Sequence, residues 1–146
     1  IDYLLNNLEK NRQYKQYVNN NVSYYYSLNE NYELADLYSK DVNKLTKSIN
    51  FISTRSVCLA FNEQWSEICT ILNNRVSKTI THHTNLLNSL VFGIALMKLG
   101  NEKRGKKYID FAVKHKKSMF ASDDFIFKKL LQKILLVLFY LLYVLI

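Results

Sequence analysis

The chain has no proline and only three glycines in 146 residues, so composition places almost no breakers in the way of long helices. It also lacks the alternating apolar and polar runs that mark strands. Its Val and Ile residues fall at helical spacing instead, which leaves an all-α chain. Only two cysteines occur, Cys58 and Cys69, and they form neither a C-x-x-C pair nor part of a larger set. Reduced thiols in a cytosolic protein are the expectation. No glycine-rich phosphate loop and no G-x-S-x-G is present, which removes the commonest signatures of nucleotide and acyl chemistry. His82-His83 has no glutamate at metalloprotease spacing, and His115 stands alone in a lysine run; a metal site needs three or four ligands. Glu63 and Glu67 lie one helical turn apart and read as a solvated face. The chain is therefore expected to be no enzyme, with no cofactor and no metal. No charged leader followed by an apolar run opens it, so no signal peptide is expected.

Sixteen asparagines and eleven tyrosines dilute any argument from one Asn or one Tyr, and the sequon Asn21-Val22-Ser23 reads as coincidence. Tyr24-Tyr25-Tyr26 reads as packing, since tyrosines distributed around a helix seldom form a base-stacking platform.

The most regular feature is a stripe at alternating steps of three and four: Phe61, Trp65, Ile68, Leu72, Val76, Ile80, His83, Leu87, Leu90, Ile94 and Met97. The register continues through Asn101, Arg104, Tyr108, Ala112, His115 and Met119. An unbroken helix over this stretch would extend roughly 90 Å. It would have to bury its stripe against other long helices or a second copy, which makes Phe61 to Met97 a candidate dimer and core seam. Gly100 and Gly105 are its weak points, each costing about 1 kcal/mol relative to alanine and marking a place for a bend or turn. Before it, residues 2–49 show a drifting helical register with a kink expected at Asn19-Asn20-Asn21. Residues 50–56 read as a short capped connection between antiparallel neighbours. After it, Ser122-Asp123-Asp124 reads as a capping cluster. The apolar run from Ile134 to Ile146 is shorter than the roughly 20 residues of a membrane span.

The net charge of +8 is unevenly placed. Residues 1–50 are neutral, and Lys98 to Lys117 holds eight basic against two acidic groups. That is a localised surface for an anionic partner.

Three stretches resemble, in order, the F-BAR (FCH-type BAR) domain of membrane-bending proteins. Glu33 to Ser48 is similar to the family's first long helix. Ala60-Phe61-Asn62-Glu63-Gln64-Trp65, followed by His83, Leu86, Leu87 and Leu90, resembles the opening of the next helix. Asn101 to Lys107 resembles its basic patch. Asn31 and Ala35 stand where the family commonly has Arg and Glu, and Gly105 lies inside the basic patch. The resemblance covers roughly residues 3–120 and leaves 121–146 as a divergent hydrophobic segment. It implies a partial bundle of long antiparallel helices, a homodimer, and a concave basic face on an anionic phospholipid membrane. That face would sense or induce curvature at the plasma membrane or endosomes and link it to cytoskeletal or endocytic proteins. The membrane-binding residues implied are Lys47, Lys103, Arg104, Lys106, Lys107, Lys114 and Lys117. Of these, Lys103, Lys107, Lys114 and Lys117, with Asp110, follow a line parallel to the apolar stripe. Near an acidic leaflet each such cation contributes about 1 kcal/mol.

A rival reading is a helical-repeat scaffold for peptide binding. Leu90 to Gly100, with Tyr108 and Ala112, resembles one tetratricopeptide repeat, with Gly93 and Ala112 at signature positions and a turn at Gly100-Asn101. No second copy is evident at a spacing of 34 residues, and such repeats need about three to be stable. A straight rod through Gly100 favours the first reading and a hairpin there the second. Nucleic-acid binding through the lysines ranks third, because no groove-reading motif accompanies them.

Overall fold

A computed structural model describes residues 12–42, 49–73, 75–76, 83–118 and 124–132, and these are all-helical. The helices are α1 (Arg12–Leu28), α2 (Tyr32–Val42), α3 (Ile49–Phe61), α4 (Trp65–Leu72), α5 (His83–Lys98) and α6 (Glu102–Lys114). A 3₁₀ turn, Lys116–Ser118, follows, and residues 124–132 form a further helical segment, α7.

The helices come in pairs, α1 with α2, α3 with α4 and α5 with α6, each joined by a three-residue turn and packed side by side. All three turns have the same backbone. In the last, the Asn101 N–H donates to the Leu96 carbonyl at 2.8 Å and the Gly100 N–H to the Met97 carbonyl at 3.0 Å. Gly100 has φ 85°. This is the Schellman arrangement, which satisfies the last carbonyls of a helix by placing one residue in the left-handed region. The same two bonds recur as Gln64 to Leu59 and Glu63 to Ala60, and as Asn31 to Tyr26 and Glu30 to Ser27. Glu63 and Glu30 take the left-handed position with φ 58° and 62°. The left-handed residues 30, 63 and 100 are thus 33 and 37 residues apart.

The pairs stack. α3 packs on both α1 and α2, and α5 on both α3 and α4, so each first helix rests on the whole preceding hairpin. That is how solenoid repeats bury a continuous core. The core runs through Val57, Leu59, Ile68, Leu72, Leu90, Phe92 and Ala95, with Tyr32 stacked on Phe61 at 4.2 Å between centroids. Within the last hairpin the backbones meet at two glycines. A Cβ on Gly93 would stand 2.8 Å from the Gly105 carbonyl oxygen, and one on Gly105 2.6 Å from that of Gly93.

Three expectations are corrected. The stretch from Phe61 to Met119 is no single rod: it turns at residues 62–64 and again at 99–101, because each left-handed residue aims the chain back along the helix it has left. α1 runs unbroken through residues 19–21, where a kink was expected, and the chain breaks helix at 29–31. Residues 50–56 are no connection but helix, and Ser53, Thr54 and Ser56 are buried in α3.

Candidate functional site

The expected seam residues are already covered within one chain. Phe61, Ile68, Leu72, Leu87, Leu90 and Ile94 are buried, and Trp65 and Val76 pack against the same core half-buried. Met97 is half-buried at the end of α5, against Gly105. Ile80 lies outside the described residues, as does Lys47.

The remaining basic residues converge on α6. Gly105 and Ala112 turn inward toward α5, and the opposite side carries Lys103, Lys106, Lys107 and Lys114, all exposed, with exposed Lys117 in the 3₁₀ turn beyond. Glu102 in the first turn and Lys114 in the last both suit the helix dipole. These five lysines pair with no acid among the described residues. Elsewhere Lys40 pairs with Asp36 at 2.7 Å, Lys128 with Asp124 at 2.8 Å, and Lys129 with Glu30.

Arg104 behaves differently from its neighbours. Its guanidinium donates to Asn73 Oδ1 at 2.9 Å and lies 5.4 Å from the ring centroid of Phe92, which packs edge-to-face with Tyr108 at 5.0 Å between centroids. Together Arg104, Lys107, Tyr108 and Phe111 bound an open recess of about 320 Å³. Burial pushes the nearby Cys69 thiol above its ordinary value, and the Arg104 charge offsets this only in part. The surface therefore offers fixed donors, mobile ammonium groups and aromatic edges, which suit an extended anionic ligand. Among the described residues no group of His, Cys, Asp or Glu converges as a metal would need.

One polar cluster escaped the sequence reading. Arg55, 4% exposed, donates from Nη1 to the Asp36 carboxylate and to Ser39 Oγ at 3.0 Å, and from Nη2 to Glu67 Oε1 at 2.9 Å. It ties α2, α3 and α4 together across the first two hairpins. Burial raises the Asp36 carboxyl, but the hydrogen bonds and charges of Lys40 and Arg55 together outweigh it and hold the group below its usual value. The available signal was Arg55 as the one charged residue between Lys47 and Glu63. Removing one partner of a buried pair leaves the other charge uncompensated, so Arg55, Asp36 and Glu67 depend on one another.

No family model matches the chain, nor does any curated protein or solved structure. Among the described residues no helix is long and apolar enough to cross a membrane; the apolar run 134–146 lies outside them.

Proposed function

We propose that the chain is a helical-hairpin repeat scaffold of the tetratricopeptide kind, which binds an acidic polypeptide segment along the cationic side of α6. The observation that carries this reading is the Schellman turn made three times at residues 30, 63 and 100. A chain that stacks like hairpins presents helix faces as docking surfaces, and such arrays serve to hold other polypeptides. The unpaired lysines of α6 supply the charge complementarity that steers an acidic partner, with strong salt dependence.

The F-BAR reading asks for a helix running through Gly100, and the turn there argues against a long crescent. Its lipid-binding component stands separately, since the same exposed lysines of α6 would meet an anionic leaflet. Both partners are tested together on the full chain: a fluorescent glutamate-rich peptide, and vesicles with and without anionic lipid. The reading expects saturable peptide binding that weakens with salt. It expects that binding to be lost when Lys103, Lys107, Lys114 and Lys117 are changed to glutamate. Vesicle pelleting that depends on those lysines, without peptide binding, would replace it with the membrane reading. Peptide binding unchanged in the reversed variant would remove α6 as the site.

A further inference from the structure

The first helices of the second and third hairpins are enclosed on all sides. Every described side chain from 52 to 61 in α3 and from 86 to 96 in α5 is buried, about three turns in each. The second helices α4 and α6 keep an exposed side. Hairpin stacking covers a first helix with its own partner and with its neighbours, and leaves its remaining side on the open surface that repeat proteins use for binding. Here that side is covered.

The segment α7 is placed to cover it. Ile126, Phe127 and Leu130 are 1%, 0% and 1% exposed and belong to the same core cluster as Val57, Leu59, Leu90 and Phe92. One end is held near the last hairpin, where Lys116 meets Asp124 at 3.3 Å and lies 5.7 Å from the Phe127 ring. Toward the other end, Lys129 pairs with Glu30, the left-handed residue of the first hairpin's turn. Nine helical residues span only about 13 Å, so a segment tied to the third hairpin and the first crosses the middle one.

We propose that α7 is an internal ligand of the scaffold. The first-helix face is a binding site for an amphipathic helix with large apolar residues spaced as Ile126, Phe127 and Leu130, and with a cation placed as Lys129 to meet Glu30. The chain's own segment holds that site closed until a helix of the same chemistry competes. This rests on the scaffold reading, but it concerns a different surface from α6.

Two measurements on the full chain test it. In hydrogen exchange, the amides of 124–132 open at least tenfold faster than those of 52–61 and 86–96, as expected of a segment that leaves while the stack persists. Equal rates would make α7 an ordinary part of the core and overturn the proposal. The second is binding of a fluorescent peptide carrying residues 121–133, against a scrambled control. A tethered segment competes at an effective concentration on the order of millimolar, so the intact chain binds the peptide poorly. Phe127→Ala, which weakens the internal copy, is expected to tighten peptide binding roughly a hundredfold. No gain, with α5 still protected, would refute it. Where Phe127→Ala loses that protection, Lys129→Glu is expected to give a gain of a few fold. The pair Glu30→Lys with Lys129→Glu then restores the closed state, and an unchanged affinity in both variants refutes the proposal. The peptide is net cationic, so its binding does not draw on the lysines of α6, and failure of the acidic-peptide assay leaves this result to be read separately.

Discussion

Adding one methyl group at Gly105 tests the hairpin directly, because the two architectures assign it opposite signs. In an uninterrupted exposed helix, glycine to alanine gains about 1 kcal/mol from propensity alone. In the hairpin the new Cβ stands 2.6 Å from the Gly93 carbonyl oxygen, 2.6 Å from Met97 Cγ and 3.0 Å from the Met97 backbone nitrogen. The methionine side chain has rotamers to spare and can swing away. The two backbone atoms cannot, so α5 and α6 must separate by about half an ångström or more along their closest contact, with loss of dispersion on both sides. Overpacking of this kind costs about 1–3 kcal/mol. With the propensity gain subtracted, Gly105→Ala is expected to lose up to about 2 kcal/mol. Gly93→Ala behaves likewise, since its Cβ would meet Ile109 Cγ1 at 2.7 Å and the Gly105 carbonyl at 2.8 Å. Both residues report one contact, so the double variant should cost less than the two losses added. The assay is urea unfolding followed by circular dichroism, with a lower midpoint at unchanged slope. A midpoint that rises would refute the close packing of α5 on α6.

At the turns, Gly100→Ala forces a side chain into φ 85° and should cost about 1–2 kcal/mol. Glu63→Gly, at φ 58°, should gain about 0.5–1 kcal/mol in the same titration. Asp36 has a folded-state pKa below its usual value, so its contribution is complete above about pH 4. It is lost as pH falls through the lower folded value. Urea midpoints measured from neutral to acid pH should show this decline, and Asp36→Asn should flatten it. The same change leaves Arg55 buried with Glu67 as its remaining carboxylate and should lower stability at neutral pH by about 3 kcal/mol. Reversing Lys103 and Lys107, which are exposed and unpaired among the described residues, should change stability by less than about 0.5 kcal/mol. Any loss of partner binding in that variant would then be an effect of charge and not of unfolding.

Helix content was legible because it follows from what the chain lacks, and the basic concentration at Lys98 to Lys117 was legible because charge is additive along a sequence. The turns were not. The apolar stripe from Phe61 to Met97 keeps its register across residues 62–64, since a three-residue turn uses about as many positions as one helical turn. A periodicity argument passes over it without a slip. The burial of α3 was hidden for a different reason. Ser53, Thr54, Arg55 and Ser56 resemble a capped connection, and the carboxylates that pair Arg55 inside the core, Asp36 and Glu67, are distant in sequence.

The repeat itself was concealed because it is conserved in backbone demand and not in side-chain identity. What each hairpin carries is a left-handed residue at the turn and a small residue seven positions before it. The third hairpin fills both places with glycine, at Gly100 and Gly93, and sets Gly93 against the Gly105 carbonyl. The first uses Glu30 and Ser23, and the Ser23 hydroxyl donates to the Ala35 carbonyl at 2.7 Å across the equivalent contact. The second uses Glu63 and Ser56, whose hydroxyl reaches the Ser53 carbonyl and Asn88. A serine that spends its hydroxyl on a carbonyl of the facing helix, or on its neighbours, occupies little more room than glycine and leaves no buried donor unpaired. Residues 23 and 35 and residues 93 and 105 are therefore the same contact twice over, twelve positions apart, with Ser56 at the same place before its own turn, and identity counting at a spacing of 34 compares residues that never had to match.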